Sequence, residues 1–228
     1  MTSERMAARI AGASFLISYL GLILGALLLS TILDAPDYLA IVYPNATLVG
    51  IGVLIESVNG IAVIVIAVML YPILKQYDEN LALGFLVFRT VEGLFSIIGS
   101  LKAASLIEIS HAYIQAGSPA DSYFDALGAL VLAERHWNME MLTVFLILGA
   151  MIFYVLLLRS ELVPRFISIW GIVAVLLITV FNALIYLGID FGVVMFLLAL
   201  PMVANEFFIA IWLIVKGVNT SANASQST

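Results

Sequence analysis

TLVGIGVLIESVNGIAVIVIAVMLYPIL, residues Thr47–Leu74, decides the fold class. Glu56 is its only charged residue, and the stretch is longer than the roughly 20 apolar residues a helix needs to cross a bilayer. Lys75–Asn80 follows as a polar turn. Outward from this segment, five more apolar stretches of similar length appear: Ala8–Leu33, Leu81–Ile107, Trp137–Leu158, Pro164–Ile189 and Phe191–Val215. The sequence therefore predicts an all-α polytopic membrane protein, a bundle of six transmembrane helices. It forms a single domain over residues 1–217, with a disordered cytoplasmic tail over 218–228.

The whole composition agrees. Apolar residues make up 64% of the chain and charged residues 11%, against about half and a quarter in an average globular protein. So few charges could not cover the surface of a soluble domain of this length, and lipid is the solvent that suits them. The formal net charge of −6 comes without an acidic tail or a basic patch, so no nucleic-acid partner is expected. The absence of cysteine excludes disulfides, thiolate metal sites, iron–sulfur clusters and cysteine nucleophiles. The apolar run after Arg5 and Arg9 exceeds the core of a signal peptide and reads as a retained anchor.

The links between spans are short except one. Asp34–Ala46 carries Pro36 and Pro44. Arg159–Val163 leads into Pro164, which suits the first turn of a helix. The long link, Glu108–His136, contains Gly117, Ser118, Pro119 and Asp121, with a short interfacial helix expected over Ala120–Glu134. With six spans, Arg5, Arg9, Lys75, Arg159, Arg165 and Lys216 fall on one side, while Arg135 is the clear loop cation on the other. The positive-inside rule then places both termini in the cytoplasm of a cell-membrane protein. Triplets at Asn219 and Asn223 resemble glycosylation sites but carry no meaning on a cytoplasmic tail.

Polar residues inside the spans recur at helical spacing. Ser14, Ser18, Gly21 and Gly25 share a face of the first span, and small residues at that spacing let helices pack closely. Gly52, Glu56, Asn59 and Gly60 share a face of the second; Arg89, Glu92, Gly93, Ser96, Gly99 and Ser100 one of the third. Arg89 and Glu92, three apart, are placed to pair within one helix. Lys102 is expected to snorkel toward the outer surface. His136, Glu140 and Thr143 follow in the fourth span, Thr179, Asn182 and Tyr186 in the fifth, and Asn205 and Glu206 in the sixth, just after Pro201. A charge at the bilayer centre costs about 2.5–3.5 kcal/mol on insertion scales, so such residues ordinarily face a bundle interior. Glu56, Asn59, Arg89, Glu92, Asn182 and Glu206 are accordingly the expected lining of a polar, outward-opening chamber. Four inward acids outnumber Arg89 and Lys102 within the spans, so at least one acid, Glu206 or Glu56, is expected to be protonated or to sit beside a cation.

Motifs of known chemistry are sparse. Glu108-Ile-Ser-His111 has the Glu-x-x-His spacing of di-iron bundles, and His136 and Glu140 are four apart. The motif occurs once, and the chain has two histidines. No metal or other cofactor is expected. A HExxH motif, a nucleophile elbow, a phosphate loop and a dinucleotide fingerprint are all absent.

Four local patterns carry a resemblance: Leu70-Tyr71-Pro72-Ile73-Leu74-Lys75; Arg89-x-x-Glu92; Val163-Pro164-Arg165 with Ser168, Trp170 and Gly171; and Glu206 with Trp212-Leu213 and Lys216-Gly217. Together, from about Arg9 to Gly217, they resemble the prokaryotic integral-membrane family catalogued as domain of unknown function 4386. The resemblance implies a bacterial or archaeal multi-span protein and no particular activity. The chamber predicts a protein that binds or transports a small molecule, lipid or ion. The alternatives are a membrane enzyme acting on a lipid, with or without metal at Glu108, His111, His136 and Glu140, and a non-catalytic partner of another membrane protein, using the Ser14–Gly25 face. The bilayer is the one partner composition implies. Oligomeric state is open.

Overall fold

The structure is a computed structural model in which residues 3–119, 123–189 and 192–219 are described. Among these it is helical without strands: α1 Ser3–Leu33, the short α2 Tyr38–Ile41, α3 Ala46–Leu74, α4 Glu79–Gln115, α5 Tyr123–Ser160, α6 Arg165–Tyr186 and α7 Val193–Val215. Six of them, all but α2, are long and apolar enough to cross a membrane. The six predicted spans map one to one onto these helices.

Two of the helices are much longer than their apolar segments. α4 has 37 residues and α5 has 38. At about 1.5 Å per residue each is roughly 55 Å long, against about 30 Å of hydrocarbon. The expected link over Glu108–His136 is therefore a correction: α4 continues to Gln115 and α5 starts at Tyr123. Hydropathy reports only where a helix meets lipid. Polar residues extend a helix into water without breaking its hydrogen bonds. The turn itself is where its residues place it, since Gly117 has φ +83° and Ser118 φ +52°. Asp121 lies outside the described residues. Tyr113 and Phe124 meet edge to face at 6.1 Å across this turn.

The chain forms two compact units. One comprises Met1–Leu16, Ala62–Glu92 and Thr143–Thr228, the other Ile17–Ile61 and Gly93–Leu142. In the first, Phe15, Ile66, Leu70, Phe85, Phe153, Tyr154, Ile167 and Ile209 form a continuous buried core. Phe85 stacks on Phe153 at 5.1 Å, and α6 packs along α7. Gly171 is required here, because a Cβ at that position would collide with the ring of Tyr154. Asn219 donates its backbone N–H to the carbonyl of Leu162 at 2.9 Å. The remainder of the tail, from 220 and including Asn223, lies outside the described residues.

In the second unit Leu29, Val42, Val49, Ala103 and Leu106 form the core. Ser110 anchors α2: its Oγ donates to the carbonyl of Leu39 at 2.6 Å and accepts from the N–H of Tyr43 at 2.8 Å. Tyr38 is pushed above the usual tyrosine range by burial and then by the charge of Asp125. The small-residue face of α1 packs against α3. A Cβ on Gly25 would fall 2.7–2.9 Å from Cβ, N and Cα of Glu56, and one on Gly21 would lie 2.9 Å from the Asn59 amide nitrogen and the Ile55 carbonyl. That part of the expected partner surface is thus occupied by the chain's own α3. Gly25→Ala is expected to cost about 1–3 kcal/mol through overpacking. Gly50→Ala, with nothing within 4 Å, is expected to leave the melting temperature in detergent unchanged; equal melting of the two variants would refute the close approach.

Candidate functional site

The buried polar residues gather in two clusters, one in each unit. The first is built on Arg89 of α4, which is 3% exposed. Its Nη1 lies 3.1 Å from Glu92 Oε2, one helical turn on, and 3.8 Å from Glu206 Oε1 of α7. Glu92 and Glu206 are 3% and 5% exposed. The Glu92 contact is an ion pair by distance, without the alignment of a hydrogen bond. Two carboxylates therefore face one guanidinium in a setting sealed from water.

The surroundings are built to hold that arginine. Its stem passes Gly149, where a Cβ would lie 3.0 Å from Arg89 Cδ, so α4 and α5 approach closely. Its guanidinium stands 5.9 Å from the ring centroid of Phe15. Tyr154 of α5 is fully buried and within electrostatic reach of both Glu206 and Arg89. Beside Glu206, Asn205 donates from Nδ2 to the Ile167 carbonyl at 3.1 Å. Tyr154 Oη, Ser168 Oγ and Asn205 Oδ1 are among seven buried side-chain polar atoms without a hydrogen-bond partner among the described residues. Buried polar groups ordinarily have partners, so a site carrying several without them is unusual. Asn182 is buried on α6.

The second cluster is centred on Glu56 of α3, 1% exposed. Arg135 of α5 grips it with two parallel bonds, Nη1 to Oε2 at 2.8 Å and Nη2 to Oε1 at 2.6 Å, and Nη1 also donates to the Gly99 carbonyl at 2.6 Å. Asn59 donates to the Ser18 carbonyl at 3.0 Å and accepts from Ser96 Oγ at 2.8 Å. Ser57 and Ser100 share a 2.7 Å bond. This network is densely satisfied, the opposite of the first. It also corrects two expectations. Arg135 is not a loop cation but an arginine inside α5, and Glu56 has a full counter-charge. Lys102 pairs with Glu134 of α5.

The residues considered for metal do not converge. His111 stacks on Tyr43 at 4.1 Å and shares a hydrogen bond with Gln115, while His136 meets the ring of Trp137 at 5.3 Å. Among the described residues, no group of three or more His, Asp or Glu side chains is placed to hold a metal ion. Three cavities, of about 360, 550 and 620 Å³, are lined by none of the six residues expected to form a chamber.

Six membrane-length helices carrying buried ion pairs define a polytopic α-helical membrane protein. The chain belongs to the family described as Domain of unknown function (DUF4386), whose model matches residues 10–217. No curated protein and no solved structure matches it. The sequence signal for Arg89, Glu92 and Glu206 was their charge within apolar runs. Tyr154, Ser168 and Arg135 had weaker signals, a hydroxyl in two cases and a polar neighbourhood resembling a loop in the third.

Proposed function

We propose that this protein binds or transports a small ionic solute within the membrane, and that the Arg89–Glu92–Glu206 cluster is its binding element. The carrying observation is the charge count at a buried place. Two buried carboxylates converge on one guanidinium, and a buried charge is costly. A proton or a small monovalent cation would balance the second carboxylate, and Tyr154, within electrostatic reach of Glu206 and Arg89, offers a further oxygen. We further place both termini in the cytoplasm of a cell membrane. With six spans, Arg5, Arg9, Lys75, Arg159, Arg165 and Lys216 lie at helix ends on one side, whereas Arg135 and Lys102 are engaged by Glu56 and Glu134.

Infrared spectra of the detergent-solubilised full chain test this reading. The carboxyl bands are expected to respond to pH between about 5 and 9 or to replacement of choline by Na⁺, with the response lost in Glu206→Gln. Bands indifferent to both, or a response that persists in Glu206→Gln and Glu92→Gln alike, would overturn it.

A further inference from the structure

At one end of the first unit, the α5–α6 loop and the end of α7 enclose a half-open cavity of about 550 Å³. Its size falls within the roughly 300–1,000 Å³ of ordinary small-molecule sites. Glu161, Arg165, Trp212 and Lys216 supply its polar and aromatic lining. We propose that this cavity receives the phosphate headgroup of an anionic phospholipid.

Three independent features support that occupant. The first is charge. Arg165 is held by Glu161 alone, in an exposed pair, and Lys216 makes no ion pair among the described residues. Two more cations reach the same end of α7: Arg5, whose Cγ would lie 3.4 Å from a Cβ on Gly217, and Arg9, whose Nε donates to the Ile214 carbonyl at 3.1 Å. Glu161 is the one acid in the lining. The second is the start of α6. Its N-cap is Pro164, which makes no side-chain cap bond; the Ile167 amide is satisfied by the Pro164 carbonyl at 3.0 Å, and the Arg165 amide, at the cavity, makes no bond among the described residues. Arg165, in that first turn, opposes the helix dipole, an arrangement that an anion between the two would reverse. The third is what continues outward. Trp212 is the first ring of an aromatic column, with Phe208 at 6.5 Å, and Trp170 and Phe166 at 5.9 and 5.6 Å from Phe208. Phe166, Ile169 and Ile211 are each more than half exposed along it. Aromatic rings sit at headgroup depth, and basic pockets between helices hold anionic headgroups. A headgroup in the cavity would leave its acyl chains on this column. Free phosphate would use the charges but not the apolar track.

The test uses the purified full chain in a zwitterionic detergent, with phosphatidylglycerol, phosphatidylcholine or inorganic phosphate added at matched concentration. Bound lipid is counted by native mass spectrometry. Phosphatidylglycerol is expected to be retained in preference to phosphatidylcholine, and inorganic phosphate to compete poorly. At about 1 kcal/mol per basic residue, Arg165→Gln and Lys216→Gln are each expected to weaken the preference about fivefold. Lys75→Gln, beside the Tyr71 ring and outside the cavity, is expected to change nothing. Glu161→Gln releases Arg165 and is expected to strengthen retention, so the proposal stays testable even if a charge-removing variant fails to fold. Equal retention of the two lipids, a preference that survives loss of both cations, equal loss in Lys75→Gln, displacement by inorganic phosphate alone, or no gain in Glu161→Gln would each overturn it.

Discussion

Arg89→Met is expected to lose about 3–5 kcal/mol of stability, the cost of breaking a buried ion pair by removing one partner. Methionine replaces the stem, so the passage beside Gly149 remains filled, while the guanidinium's place near Phe15 is vacated. The larger change is electrostatic. Glu92 and Glu206, 3% and 5% exposed, would face each other out of solvent and without the Arg89 guanidinium between them. Combining Arg89→Met with Glu92→Gln and Glu206→Gln is expected to recover most of the loss, since neutral amides remove the repulsion and the uncompensated charge together. Thermal unfolding in detergent reads both results. If the triple variant is as unstable as Arg89→Met, the deficit comes from packing, and the ion cluster contributes little. Arg89→Lys should fall between the two, because an ammonium keeps the charge but lacks the guanidinium's second arm.

What could be read in the sequence follows from which physics is local. Membrane residence and six spans depend on summed hydropathy over about 20 residues, a property of each segment alone. Burial of Arg89, Glu92, Glu56 and Glu206 follows from the cost of exposing charge to lipid, again without reference to neighbours. The close packing at Gly21 and Gly25 was visible because small residues one turn apart have few other uses in a span. The extensions of α4 and α5 were not visible. Glu108, His111, Glu134 and Arg135 look like a wet loop to any hydropathy measure, and a helix leaving the membrane carries the same residues as a loop leaving it.

Partners were the least legible part. Glu206 has no basic residue in its own helix, and its counter-charge comes from α4. Glu56 likewise finds Arg135 on α5. Such choices depend on how helices cross and rotate, which spacing along one helix does not encode. The sequence groups the polar faces as one chamber; the contacts give a cluster within each unit. Val163-Pro164-Arg165 and Trp212 with Lys216-Gly217 carry the family resemblance in the sequence, where Pro164 also marks a helix start and Arg165 and Lys216 count as inside cations. Folding brings them around one cavity.

Replacing Arg135 and replacing Glu56 are expected to have unequal effects, although the two form one pair. Arg135→Met leaves Glu56, whose side chain is 2% exposed, as a buried carboxylate with no counter-charge, and also removes the donor to the Gly99 carbonyl. That loss is expected to reach about 3–5 kcal/mol. Glu56→Gln leaves the cation unpaired, but the Arg135 side chain is 15% exposed and lines the 360 Å³ cavity near Ser30 and Asp34. A long arginine side chain can turn its charged head toward such a polar opening while its stem stays packed. Its cost should therefore be smaller, by about 1–2 kcal/mol, because one charge escapes burial where the other cannot. The two single variants and the double variant Arg135→Met with Glu56→Gln form a complete cycle, read by unfolding in detergent. A double variant more stable than Arg135→Met alone would show that the isolated carboxylate, rather than the lost bonds, sets the penalty. Equal losses in the two single variants would mean that Arg135 has no alternative position, and the cavity beside it would not be serving as an outlet for its charge.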